Sequence, residues 1–563
     1  MCLPRKSLRS VMLLSVGQGA LCAAAIMVPG SPAVADGVFQ PGNLVVSRVI
    51  YDNNPNNVMV GMTLPPNCVP SVVNAITCVR ATDDGSYPTV WNNNLADGSF
   101  GVTAKIILDQ LTQSGVLVNS LEVPNNSQNG VPPTKDQMVT SFSSKSELAL
   151  NLSTDNQSIT FMGYLAPIDA LDVSNSNTPG VVDPTNPVSG QYFRVVAQVD
   201  SKGKFRFTKT NAYSGNNGRA AVLNANANVV YTAGNAGNGS LTPSQPSQPN
   251  GVIAGTGAQI LNPETKALVA QNPDFPTPVG SFNVTQLGDK ADKVGKDTNF
   301  RGLTIFNNVV YYTKGSGSNG INTVYFIDTS GFNNEGQPLA CPTTGVGLPS
   351  SLATLPTAPI SYNASLLPTE GVVPYNMCVL NGFNTVLAKN TTWFPFGVWF
   401  ANATTLYVAD EGNGNNTFSN GIYTKAAAQT TAGLQKWVFS AGSWKLAYTL
   451  TNGLQLGVPY PIPNYPSGIN PATNLPWSPA TDGLRNLTGQ ANGDGTVTIW
   501  AVTSTVSGNG DQGADPNKLV AITDALASTT LPATEIFTTI RSAGYGEVLR
   551  GVSFTPGTQM VLR

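Results

Sequence analysis

The segment PFGVWFANATTLYVADEGNG, residues 395–414, decides the fold. Two runs of apolar, β-branched and aromatic residues flank a short Asn-Ala-Thr-Thr turn, and the second run gives way to Asp, Glu, Gly and Asn. That pattern reads as a β-hairpin followed by a glycine-rich loop. The same layout recurs in GRAAVLNANANVVYTAGNAGNG (218–239), FRGLTIFNNVVYYTKGSGSNG (300–320) and LRNLTGQANGDGTVTIWAVTSTVSGNG (484–510). An earlier copy is ELALNLSTDNQSITFMGY (147–164), and a last one is LRGVSFTPGTQMVLR (549–563). Repetition of one supersecondary unit that cannot bury its own faces is the signature of a radial or stacked array.

Between these hairpins lie further strand-like runs: FRVVAQVD (193–200) with KFRFTKTN (204–211), TVYFID (323–328), LQKWVFS (434–440) with WKLAYTL (444–450), and KLVAITD (518–524) with TEIFTTI (534–540). Two hairpins per unit make a four-stranded sheet. The C-terminal copy lacks outer strands, whereas NLVVSRVIYD (43–52), AKIILDQL (104–111) and VLVNSLEVP (116–124) are strands without a leading hairpin. Joining the two ends completes one unit and removes the open sheet edges. The expected fold is therefore all-β: a β-propeller of six four-stranded blades, closed by pairing of the N- and C-terminal strands. A seventh blade in the long 241–299 segment stays open, and an array of β-sandwiches is the competing architecture. Helix is expected only as a turn or two near Thr424 to Thr430.

The hairpins TTLYVADEGNG (404–414) and LRGVSFTPG (549–557) resemble those of YVTN and NHL-like secreted propellers, a likeness confined to short stretches and silent on activity. FRGLTIF (300–306) invites comparison with sialidases, six-bladed propellers that clamp a carboxylate with arginines. The comparison fails at the Asp box. Neither DDGSYPTVW (83–91) nor NGDGTVTIW (492–500) has the S-x-D-x-G-x-T-W spacing.

At the N-terminus, Arg5, Lys6 and Arg9 precede an apolar run from Val11 to Val28 and the small-residue site Ala33-Val34-Ala35. This reads as a cleavable export signal over residues 1–35, leaving a single propeller domain over 36–563 with insertions near 53–100, 241–299 and 331–392. An uncleaved anchor is the lesser reading, because Gly17, Gln18 and Gly19 interrupt the run. Lipidation at Cys22 is weaker still, since Leu21 stands where a small residue is needed. No other segment is apolar over the ~18 residues of a spanning helix. The mature chain is thus expected in the periplasm or outside the cell, without a membrane span, as a monomer.

Only 11% of residues are charged, while Gly (56) and Pro (41) are plentiful. Removing the signal takes three of the 29 basic residues and leaves 26 against 31 acidic ones, a net charge of −5, which argues against a nucleic-acid partner. In an exported chain the local spacing of Cys68 with Cys78, and of Cys341 with Cys378, is read as two disulfides. Zinc is disfavoured, for the spacing is not C-x-x-C and the chain has no histidine.

That absence of histidine excludes Ser-His-Asp and Cys-His hydrolases and histidine-ligated metal or haem. No cofactor is expected. Calcium in the loops DEGNGNN (410–416), NGDGT (492–496) and NGDQGADPN (509–517) is outweighed by ordinary tight turns, since none has EF-hand order. What repeats is arginine: Arg219, Arg301, Arg485 and Arg550 each stand at the start of the first strand of a unit. Equivalent positions in a radial fold converge, so at least three are expected at one mouth of the channel, with Asp410 or Asp482 as partial counter-charges. There they would take a carboxylate or phosphate, or else tie adjacent blades. Asp410 and Glu411, together with Asp482, are the acids nearest the repeats, the first two read as solvated turn residues. The leading functional expectation is a non-catalytic binding protein for a carbohydrate or other extracellular ligand. The alternative is a histidine-free glycoside hydrolase or lyase for an acidic carbohydrate, in which two carboxyls would share the chemistry.

Overall fold

The computed structural model describes residues 38–51, 54, 56–64, 79–81, 101–141, 147–179, 190–210, 212–235, 257–262, 279–282, 299–315, 321–331, 334, 336, 344–357, 377–386, 391–471, 473–508 and 515–559. The expected export signal, Cys68, Cys78, Cys341, the segments 83–91 and 509–514 and the last four residues lie outside them.

Among the described residues six antiparallel sheets form the blades, five of four strands and one of five, in which Thr140–Ser141 adds to Thr103–Leu111, and three further sheets have two strands each. Three N-terminal strands, β1 (Leu44–Ile50), β2 (Thr103–Leu111) and β3 (Leu117–Glu122), belong to blade I. Blade II holds β4 (Asn151–Leu152), β5 (Ser158–Tyr164), β6 (Arg194–Asp200) and β7 (Phe205–Thr210). Blade III holds β8 (Gly218–Asn224), β9 (Val229–Gly234), β10 (Ala258–Leu261) and β11 (Val279–Phe282). Blade IV holds β12 (Phe300–Phe306), β13 (Val309–Lys314), β14 (Thr323–Ile327) and β15 (Met377–Val379). Blade V holds β16 (Pro395–Asn402), β17 (Thr405–Asp410), β18 (Gly433–Ser440) and β19 (Ser443–Leu450). Blade VI holds β20 (Ala480–Ala491), β21 (Thr496–Val506), β22 (Lys518–Ala525) and β23 (Thr538–Ser542), and the last strand, β24 (Glu547–Phe554), returns to blade I.

The ring closes as the sequence predicts. β24 pairs antiparallel with β1, Leu44 opposite Phe554 and Ile50 opposite Glu547, and becomes the innermost strand of blade I. Innermost strands β24, β4, β8, β12, β16 and β20 contact one another in that cyclic order. Of the expected C-terminal hairpin, residues 549–554 lie on β24, paired with β1, and the second strand falls outside the described residues. One detail differs from expectation. The 241–299 segment contributes β10 and β11, the outer half of blade III, so within the described residues it adds no seventh blade.

Local chemistry explains the short turns. Asn307 and Asn308 both adopt positive φ (47° and 60°), the two-residue geometry that matches the twist of a tight hairpin. In blade V, Asn402 Oδ1 accepts the Thr404 amide at 2.9 Å, an Asx turn. Alternate residues of the strands pack between neighbouring sheets. Tyr312 and Tyr325 are wholly buried on one face of blade IV, and Leu406 and Val408 are wholly buried on the face of blade V that meets Tyr311 on the other face of blade IV. The expected helical turn is Thr424–Ala427.

Candidate functional site

Because five blades start at their innermost strand, the C-terminal β24 takes that place in blade I, and strands alternate in direction, the channel has two chemically different ends. The β12–β13 type hairpin turns lie at one end, and the starts of the innermost strands lie at the other.

At the strand-start end, Arg550, Arg219, Arg301, Phe396 and Arg485 on five innermost strands, and Leu148 in the segment that leads into β4, stand in equivalent positions, followed by Gly551, Ala220, Gly302, Gly397, Asn486 and Ala149. Backbone contacts fix this correspondence. The Ala149 amide donates to Arg219 O at 3.3 Å, Asn486 Nδ2 donates to Arg550 O at 2.8 Å, and a Cβ on Gly397 would stand 2.6 Å from Arg485 O. The small residues let six backbones approach at the axis. In blades I, III, IV, V and VI the antiparallel register shifts at this very position. A bulge there leaves the residue off the ladder and re-aims its side chain.

All four predicted arginines therefore occupy one layer, and their charges act on one another: Arg301 on Arg219, and Arg301 and Arg550 on Arg485. Burial, helped by Arg301, holds the Arg219 guanidinium well below its usual range. Glu411, on the loop after β17, bridges Arg301 at 3.2 Å and Arg485 at 3.3 Å. The Phe396 ring lies between them, 5.6 Å from the Arg301 guanidinium carbon and 5.9 Å from that of Arg485. Arg219 donates to Asn299 and, at 2.9 Å, to Phe300 O of the next blade, while Arg550 donates to Tyr51 Oη at 3.0 Å.

Asp410 and Glu411 are not solvated, contrary to expectation. Asp410 is fully buried and accepts the amides of Phe394 and Gly412, both at 2.9 Å, so it staples the loop that presents Glu411. Asp482, equally buried, accepts the Gly414 amide at 2.7 Å and Gln429 Nε2 at 2.6 Å. Burial pushes both carboxyls up to about 7, and the nearby Glu411 charge adds to the rise. Among the described residues no group of three or more Asp, Glu or Cys side chains converges as a metal-binding set. In NGDGT, Asp494 instead caps a turn by accepting the Thr496 amide at 2.9 Å.

A cavity of about 520 Å³ lies on the channel axis toward the hairpin-turn end. Its lining comes from the innermost strands of all six blades, with Ala149, Gly302, Gly397 and Asn486 as its floor. Asn151, Asn226, Asn307, Thr304, Thr488 and Trp399 contribute to the wall, and among the described residues none that lines it is charged. None of the four arginines reaches it. Sequence reading missed this end, because Asn and Thr at turn positions look like turn-formers and only the ring closure brings them around one space.

Two buried charge clusters were also missed. Arg194, wholly buried over the Tyr164 ring, donates to the carbonyls of Tyr192, Ser174, Ser176 and Asn216, and Glu147 beside it accepts from Thr140 and Tyr164. Lys436 and Asp524 form the second. Their sequence signals are weak: Lys436 stands inside GLQKWVFS, and Asp524 stands next to the end of KLVAITDA.

No protein-family model matches the chain, and no curated protein matches it. Among solved structures, a protein from Lactobacillus plantarum aligns over 92% of this chain and 99% of its own, at 8% identity and a TM-score of 0.32. Cobalt-substituted ACO from Synechocystis aligns over 81% and 71% at 8% identity and a TM-score of 0.30. Extracellular domains 1–2 of Drosophila Semaphorin 1a align over 76% and 84% at 9% identity and a TM-score of 0.24. The propeller assignment rests on the six sheets themselves.

Proposed function

We propose that the chain is an exported, non-catalytic binding propeller that receives an uncharged, hydroxyl-rich ligand, of the carbohydrate class, in the channel cavity at the hairpin-turn end. One observation carries this reading: a cavity of about 520 Å³ whose walls offer side-chain amides and hydroxyls from five blades and, among the described residues, no charge. Asn side chains present a donor and an acceptor each, which suits sugar hydroxyls, while Leu303, Val398 and Trp399 offer apolar surface to C–H faces. An anionic ligand there would be desolvated without a partner, which is costly.

The hydrolase alternative draws less support. Its carboxyls must reach a substrate, yet Asp410 is buried on two backbone amides, Asp482 on a backbone amide and the Gln429 side chain, and Glu411 is held by two arginines. Export, a monomeric state and the YVTN/NHL likeness belong to the same proposal. Among the described residues no helix is long and apolar enough to cross a membrane. N-terminal sequencing of protein recovered from its native compartment should begin at Asp36. Screening that protein on an array of neutral, uronate-containing and sialate-containing glycans tests the ligand class: neutral glycans are expected to bind without turnover. Retention of acidic glycans alone, or turnover of any glycan, would contradict the reading.

A further inference from the structure

The wall between blades V and VI holds a buried cluster that the channel does not use. Lys436 on β18 and Asp524 on β22 both have side chains of 0% exposure, with Nζ 2.9 Å from Oδ2. Lys436 Nζ also donates to Tyr448 Oη at 3.0 Å and Ala525 O at 2.7 Å. Both carboxyl oxygens of Asp524 accept from phenols, Oδ2 from Tyr407 and Oδ1 from Tyr448 at 2.6 Å. Glu535, just before β23, accepts the Ala525 amide at 3.0 Å on one oxygen, and its other oxygen is buried without a hydrogen bond. Leu434, Leu450, Val497, Val520, Ile522 and Phe537 form one buried apolar cluster with Tyr407 and Tyr448.

We propose that Lys436 and Asp524 condense into an intramolecular isopeptide bond that covalently joins blade V to blade VI. The parts of an amide-forming site are present: an amine in contact with a carboxyl, two phenol donors on the carboxyl oxygens, and a second carboxyl alongside. The ammonium passes a proton to the Asp524 carboxylate, and the Nζ lone pair then attacks Cγ. The tetrahedral oxyanion is held by the Tyr407 and Tyr448 hydroxyls. Both phenols keep their protons, since burial and the Asp524 charge raise them far above their usual range. Glu535 takes one of the two protons still on nitrogen and delivers it to the departing hydroxyl, so the Cγ–Oδ bond breaks, one water leaves, the amide keeps the last N–H and Glu535 is regenerated. Burial and the adjacent Asp524 hold Glu535 up to about 7, suited to a proton shuttle near neutrality. No oxidant or cofactor is needed. The product replaces a buried ion pair, whose desolvation is expensive, with a neutral amide.

A tryptic map of the intact exported protein tests this independently of ligand binding. The expected species joins Ala426–Lys445 to Leu519–Arg541, uncut after Lys436, and weighs one water less than the two peptides together. Linear peptides 426–436 and 437–445 at full yield would overturn the proposal. In a folded Glu535→Gln protein these linear peptides should appear, whereas undiminished linkage would remove Glu535 from the chemistry. Asp524→Asn should still link, with loss of one ammonia instead of one water, and linkage by loss of water there would place the bond elsewhere.

Discussion

Arg48 on the first strand and Glu547 on the last form an ion pair, Nη1 to Oε1 at 2.5 Å, across the ladder that closes the ring. Arg48 also binds Asp109 at 2.7 Å, and Asp109 takes Arg541 of blade VI at 2.9 Å. One buried carboxylate thus links strands from both chain ends to the neighbouring blade.

Truncation at Gly546 removes β24 and leaves the β1 edge and the apolar layer of Leu44, Val46, Val502 and Leu519 uncovered. Such a protein is expected to be insoluble or unfolded by circular dichroism. A cooperative melt at the full-length temperature would show that the ring does not depend on its closure.

Gly397 sets the approach of blades V and VI at the axis. A Cβ there meets Arg485 O at 2.6 Å, and neither backbone can yield without disturbing the Glu411 clasp. Gly397→Ala should cost about 1–3 kcal/mol in denaturant unfolding. Gly421→Ala, whose Cβ would meet nothing within 4 Å but whose φ is +81°, should cost about 1 kcal/mol through backbone strain alone. Equal losses at the two positions would contradict the close packing at the axis.

The buried Asp410 and Asp482 make stability depend on pH in an unusual direction. Both are held at about 7 in the folded protein, above their unfolded values, so between about pH 4 and 7 the folded state binds protons that the unfolded state releases. Their contribution is complete below the unfolded value and is lost as pH rises toward 7. Asp109 works the other way: burial would raise it, but Arg48, Ser120 and Arg541 hold it low, so its contribution fades only in stronger acid. The melting temperature should therefore rise on acidification from pH 8 to about 5. A flat or falling profile over that interval would show that these carboxyls are ionised in the folded state.

Cys378, buried on β15, is the one cysteine among the described residues. An unreduced digest should connect it to Cys341 and connect Cys68 to Cys78. Alkylation of all four residues without prior reduction would contradict both pairings and the oxidising compartment they imply.

The fold was legible because blade hairpins carry their pattern locally: FNNVVYYTK shows its turn in Asn307-Asn308 and its strands in alternating bulk. The arginine layer was legible because repetition puts Arg219, Arg301, Arg485 and Arg550 at matched offsets. What the sequence hides is non-local. The bulges that turn those arginines off the ladder depend on pairing, not on composition. Asp410 and Glu411 look like a solvated turn, yet the neighbouring blade covers them. Lys436 and Asp524, 88 positions apart, meet only because their strands stand side by side in adjacent blades.

Binding measured at both ends of the channel tests the central claim most directly. Calorimetric titration with the best neutral glycan from the array, at low and high salt, should give one site with little salt dependence. Trp399→Ala and Asn307→Asp should each weaken it at least about tenfold, the loss of ~1.4 kcal/mol or more. Arg301→Met should leave it within about twofold, provided the variant melts cooperatively. The opposite pattern, with affinity that falls steeply with salt, is lost in Arg301→Met and is indifferent to Trp399→Ala, would place the ligand at the arginine end and contradict the account.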